Sequence, residues 1–307
     1  MESRWTKTGV AIGAWGDASG VSAARRALDD TRVLCPSILA LPDGHFRAFY
    51  MGHGSAAPAG TRGRIVSAWS DDGVLWSAED GVRLDHHEGA ETRVLSPCVV
   101  PRSGGGYRMY VERVGREGSS IGSAASDDGL VFRVEPGARI REPRAIVGSP
   151  RALVLPDGRL RLYFHAYPEP FEVGIERGNH VVSAISADGL RFEREPGVRI
   201  AQTLPAFERE AVYAAQPVVE GEMVRAYYSG WNGATRARGA ILTAVSSDGG
   251  TTFEKETTPC IAPEPGLDAG FASEPCVFRD SSGRWRMLYE AADDRGQTRI
   301  LGAKRSP

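Results

Sequence analysis

Short apolar runs alternate with Gly/Asp-rich turns along most of the chain, and sustained helical periodicity is nearly absent. Alternation with a period of two puts every second side chain on one face and predicts half-buried strands. One run recurs five times, each led by a proline: Cys35-Pro36-Ser37-Ile38-Leu39, Ser96-Pro97-Cys98-Val99-Val100, Ser149-Pro150-Arg151-Ala152-Leu153, Gln216-Pro217-Val218-Val219 and Glu274-Pro275-Cys276-Val277-Phe278. Proline is tolerated at the start of a strand, where its missing N–H matters least. A turn such as Pro42-Asp43-Gly44 follows, then a second strand with an aromatic or aliphatic residue before arginine, as in Phe46-Arg47, Tyr107-Arg108, Leu160-Arg161, Val224-Arg225 and Trp285-Arg286. The third strand ends in a Ser/Asp/Gly turn leading to an aromatic, as in Ser70-Asp71-Asp72-Gly73 before Trp76 and Ser126-Asp127-Asp128-Gly129 before Phe132. The aspartates of these turns are read as structural, because they bond their own backbone.

The prolines at 36, 97, 150, 217 and 275 mark a repeat of about 60 residues, enough for four strands. The fifth unit runs out after Ile300-Leu301-Gly302-Ala303-Lys304, while residues 5–12 match residues 132–140 and 192–200 in pattern. The chain is therefore predicted to be all-β, a five-bladed β-propeller with four-stranded blades, forming a single domain over residues 1–307. Its N-terminal strand should complete the last blade and so remove two free sheet edges. Residues 21–30 could form one short turn of helix.

Composition narrows the partners. With 41% apolar and 25% charged residues the chain is ordinary for a soluble domain. A formal charge of −2 offers no basic field for nucleic acid. No leader-like or membrane-spanning stretch is visible, so the expectation is a cytoplasmic monomer or weak homo-oligomer acting on a small molecule, without nucleic-acid or membrane partners. Cys35, Cys98, Cys260 and Cys276 lack metal-type spacing, and His53, His86, His87 and His180 are scattered. Neither a metal nor another cofactor is expected.

In a propeller the ends of inner and second strands converge on the axis, where chemistry concentrates. The residues preceding the five prolines, Cys35, Ser96, Ser149, Gln216 and Glu274, are predicted to form a polar ring there. Second-strand ends add Met51, Glu112, His165, Ser229 and Glu290. Asp30-Thr31-Arg32 mirrors Glu91-Thr92-Arg93, and the two segments could clamp a ligand from adjacent blades. Loops on the same face supply Trp231, Tyr167 and Phe171, which could stack on a flat ligand.

The proline-led inner strand, the aromatic-Arg second strand and the Ser-Asp-Gly turn together resemble the five-bladed glycoside hydrolases of the arabinanase, xylosidase and invertase type. In hydrolytic members the resemblance implies three carboxyl groups at the starts of the first three inner strands. Here those places hold Cys35, Ser96 and Ser149. Glycoside cleavage ordinarily needs two carboxyl groups flanking one bond, so a displaced set is expected: Glu274 and Glu290 as neighbours in blade five, with Glu112 facing them. Burial near the axis could raise one pKa for acid work while another carboxyl stays ionised. His165 is a further candidate for proton transfer, and Cys35 with His165 would suggest a thiolate nucleophile if the two converge.

The expected function is a glycosidase-like enzyme acting on a small glycoside or sugar-like metabolite in the axial pocket. Two alternatives stand beside it: a non-hydrolytic cyclase, lyase or isomerase of specialised metabolism, and a propeller that binds a ligand without turnover.

Overall fold

The computed structural model describes residues 4–14, 21–57, 63–85, 91–235 and 238–306. It contains five antiparallel sheets of four strands each. Blade one runs from its inner strand Arg32–Ala40 through Phe46–His53 and Arg64–Ser70 to Ser77–Ala78. The inner strands of the other blades are Glu91–Pro101, Ala145–Val154, Ala211–Glu220 and Phe271–Arg279. The outer strand of blade five is Trp5–Ile12, paired with Thr298–Arg305 from the C-terminus in a register that sets Trp5 against Arg305 and Ile12 against Ile300. The closure expected from the truncated fifth repeat is thus present. The helical turn expected near residue 25 is Ala23–Arg26, capped by the Ser22 hydroxyl, which accepts from Arg25 N at 3.1 Å.

The apolar core is divided into five wedges, each between adjacent blades. Phe49 and Ile65 of blade one, for example, pack with Met109, Val111 and Phe132 of blade two. The aromatic after each Ser-Asp-Gly turn reaches back to the preceding blade: Phe132 meets Phe49 edge-on at 5.7 Å, and Phe192 meets Tyr110 likewise at 5.7 Å.

The second-strand arginines are explained by the same junctions. Arg47 holds Glu79, just past its own outer strand, bidentately at 2.8 and 3.0 Å, and its remaining nitrogen reaches the Asp128 carbonyl in the next blade's turn. Arg108 repeats this with Glu135 and the Asp188 carbonyl, and Arg161 with Glu195 and the Gly249 carbonyl. Each arginine therefore ties its blade together and clips it to the next, which Lys could not do with one nitrogen.

The turn aspartates have the structural role read from the sequence. Asp72 Oδ1 accepts from Val74 N at 2.8 Å and Leu75 N at 3.0 Å. These backbone donors hold the equivalent Asp128 and Asp188 carboxyls down at about 2. Among the described residues no helix is long and apolar enough to cross a membrane.

Candidate active site

Each inner strand carries the same irregularity where it meets the axis. In blade one, Leu34 pairs with Met51 and Ser37 with Phe49, so Cys35 and Pro36 together oppose Tyr50 alone. Equivalent bulges fall at Ser96-Pro97, Ser149-Pro150, Ala214-Ala215 and Glu274-Pro275. The first residue of every bulge is left-handed, with φ between 47° and 54° at Cys35, Ser96, Ser149, Ala214 and Glu274. For non-glycine residues such a conformation costs about 1–3 kcal/mol each, so something must hold it.

This register corrects one expectation. In blade four the ring residue is Ala214, and Gln216 lies one layer further along the strand, paired with Tyr227. Pro217 does not mark the bulge there, because its position pairs regularly with Ala226. Gln216 instead bridges two inner strands: its side chain accepts from Val277 N and donates to Val277 O at 3.1 Å. It is absent from the pocket lining.

The strained bulges are held across blades by the second-strand ends. Cys35 N donates to Glu290 Oε2 at 3.1 Å, Ser149 N to Glu112 Oε2 at 3.1 Å, and Glu274 N to Ser229 Oγ at 2.8 Å. Glu290, Glu112 and Ser229 occupy the same register position in their blades, as do Met51 and His165. The geometry that seats the candidate acids is therefore also what stabilises the ring.

Glu274 projects from blade five toward blade three, where Ser149 Oγ donates to its Oε1 at 2.8 Å and Arg151 pairs with its Oε2. Ser96 Oγ adds a longer contact to Oε1 at 3.4 Å. Arg151 was not among the sequence candidates. It occupies the layer below the ring, two residues after Ser149, where the other blades place Ser37, Cys98, Gln216 and Cys276.

Burial dominates the electrostatics of this cluster. The Glu290 carboxyl is pushed up to about 8 by burial and then by the Glu274 charge, against the opposing donors of Cys35. Glu112 is pushed up to about 7, again by burial first, while the Ser149 N–H and Arg93 pull the other way. His165 is driven down to about 3 by burial and is neutral near pH 7. It stacks on Tyr167 with ring centroids 4.3 Å apart, and its Nδ1 is buried with no hydrogen bond among the described residues.

The Cys35 thiol is raised well above its ordinary range by burial and by Glu274 and Glu290, and it donates to Glu290 Oε2 at 3.3 Å. Its partner is a carboxyl group, so the thiolate–imidazole arrangement with His165 is not formed. Among the described residues no group of three His, Cys, Asp or Glu side chains is placed to hold a metal ion.

A cavity of about 560 Å³ opens above these groups. Its floor brings together all four candidate catalytic residues, Glu112, His165, Glu274 and Glu290, with Ser149. Arg32 and Arg93 form the rim over blades one and two, and Trp231 stands on the opposite wall with Tyr213 and Phe271. Cys35 and Ser96 are buried behind the lining, bonded to Glu290 and Glu274. Asp30 also lies outside it, accepting from Ser55 N at 2.8 Å and Ser55 Oγ at 2.6 Å. The Glu91 side chain falls outside the described residues.

Gly148 shows how closely the floor is packed. A Cβ there would lie 2.0 Å from Glu112 Oε2 and 2.7 Å from His165 Cε1. Gly148→Ala is therefore expected to displace Glu112 from Ser149 N and lower stability by about 1–3 kcal/mol. Denaturant unfolding checks this, and an unchanged midpoint would mean that the floor is looser than described.

No protein-family model and no curated protein matches the sequence. Solved structures do match in fold. A thermostable family-43 glycoside hydrolase superimposes with a TM-score of 0.74 at 16% identity, over 90% of this chain and 89% of that one. A structure from the GH130 family of mannoside phosphorylases, which contains glycoside hydrolases that target beta-1,2 mannosidic linkages in Candida mannan, gives 0.70 at 16% identity over 98% and 97%. The endo-arabinase of Bacteroides thetaiotaomicron gives 0.69 at 15% identity over 90% and 94%. At these identities the likeness is one of fold.

Proposed function

We propose that this chain is a glycosidase-like enzyme that cleaves a small glycoside or sugar-like metabolite in the axial pocket. The observation that carries the reading is the pair Glu290 and Glu112, two buried carboxyl groups from blades five and two that line one cavity and both titrate near neutrality. The propeller shared with glycoside hydrolases supports it.

Glu290, the higher of the two, is the acid: it gives its proton to the glycosidic oxygen as the anomeric C–O bond breaks. Glu112, when ionised, takes a proton from the water that bonds to the anomeric carbon. The products are a free sugar and an alcohol, and the two carboxyl groups exchange protons with solvent to reset. Glu274, held by Arg151 and Ser149, keeps a negative charge near the positive charge that develops on the sugar ring.

Incubation with a panel of natural and aryl glycosides, read as released reducing sugar, is expected to show turnover. Saturable binding without product would contradict the proposal and leave a ligand-binding propeller. One observation favours a second reading: neutral His165, whose Nδ1 has no hydrogen bond among the described residues and whose ring packs with Glu112 around Gly148, suits proton transfer in a cyclase, lyase or isomerase. Conversion of a non-sugar metabolite without sugar release would select that reading.

A further inference from the structure

The pocket mouth is chemically lopsided, and the lopsidedness follows the blade repeat. Two residues before Leu34, Leu95, Tyr213 and Ser273, which pair with the second-strand ends, the inner strands place Arg32, Arg93, Ala211 and Phe271 respectively, and these last four line the cavity. Blades one and two thus set equivalent, neighbouring guanidinium groups on one side. Blades three to five set aromatic rings on the other.

Neither arginine is tied into the structure. Arg32 is exposed and has no ion pair among the described residues. Arg93 has a side chain 43% exposed, and its carboxylate contact, to Glu112, is loose at 3.9 Å. The nearby Asp30 carboxylate is already taken by Ser55 and Thr31. By contrast, the second-strand arginines Arg47, Arg108 and Arg161 are each held bidentately by a glutamate. The rim arginines therefore present unused planar donors to the cavity, a geometry suited to carboxylate or phosphate oxygens.

The floor does not oppose an anion strongly. The Glu274 charge is balanced by Arg151, Glu290, raised to about 8, keeps its proton at neutral pH, and Glu112, raised to about 7, is half ionised there. Facing the arginines, Trp231 packs against Phe271 at 5.4 Å and against Tyr213 at 6.4 Å, forming an apolar wall, with Glu210 the acidic group on that side.

We propose that the pocket selects a ligand with an anionic group, carboxylate or phosphate, seated between Arg32 and Arg93, and a flat apolar face laid against Tyr213, Trp231 and Phe271. This names the ligand class of the site in the proposed function and rests on that site being the working pocket, while its test needs no turnover.

Binding of 2-naphthoate, 2-naphthyl phosphate and neutral 2-naphthamide to the whole protein, followed by calorimetry, separates the possibilities. At least one anion is expected to bind about tenfold more tightly than the amide, a difference of ~1.4 kcal/mol. Whichever of the two leads identifies the source of the charge. The Arg32→Gln, Arg93→Gln double variant, altered at the two rim side chains, is expected to remove the preference and leave amide binding in place. Equal binding of all three probes, no binding of either anion, or an anion preference that survives in the double variant overturns the proposal. A chain that prefers the anion yet releases no sugar from any glycoside overturns the hydrolytic reading instead.

Discussion

Replacing Arg151 by methionine is expected to destabilise the fold by about 3–5 kcal/mol, the range for removing one partner of a buried ion pair. The side chains of Arg151 and Glu274 are 4% and 5% exposed, and Arg151 is the cation bonded to that carboxylate. Its loss leaves Glu274 charged near the axis, supported by the Ser149 hydroxyl at 2.8 Å. Methionine keeps most of the volume, so the effect reads the charge more than a cavity. The matched double variant Arg151→Met, Glu274→Gln removes the stranded charge as well and is expected to recover much of the loss. Denaturant unfolding of both variants checks this. A single variant within about 1 kcal/mol of the parent would show that the cross-axis pair does not hold the blades as described.

The second large effect is on chemistry. Glu290→Gln retains the shape of the side chain but cannot supply a proton as an acid, and it is expected to lower kcat/KM for sugar release by about 10²–10⁴-fold. The acid Glu290 is lost as pH rises through about 8, and the base Glu112 is lost as pH falls through about 7, so activity should peak between those values. The variant should lose the alkaline limb that Glu290 sets. A variant with parental rates would remove Glu290 from the mechanism.

Stability is linked to the same protons. Both carboxyls titrate above their ordinary value of 4.5 in the folded chain, which therefore holds protons that the unfolded chain releases. Their stabilising contribution is complete below pH 4.5 and is lost as pH climbs through about 7 and then about 8. From these groups the chain is expected to be more stable at mildly acidic than at mildly alkaline pH.

The architecture was legible because repetition writes it five times: a proline at the strand start, an arginine on the second strand, and a Ser-Asp-Gly turn with its aromatic. The ring was legible in four blades because proline happens to occupy the second bulge position there. Blade four replaces that proline with Ala215 and carries Pro217 two residues later, so proline spacing pointed to Gln216 and concealed both Ala214 and the pocket-lining Tyr213. Arg151 was hidden for another reason. It follows a proline inside an apolar run, and only the convergence of blades three and five reveals its carboxylate partner 123 residues away. Asp30 failed as a pocket residue because its partner Ser55, 25 residues further on, cannot be read from local pattern.

Convergence on the axis holds two glutamates as proton carriers near neutral pH. Carbon-13 NMR of the glutamate side-chain carboxyls across pH 4 to 10, assigned with Glu290→Gln and Glu112→Gln, tests it without knowing any substrate. Midpoints of about 8 for Glu290 and about 7 for Glu112 are the expected result. Two resonances titrating together near the ordinary 4.5 would contradict it.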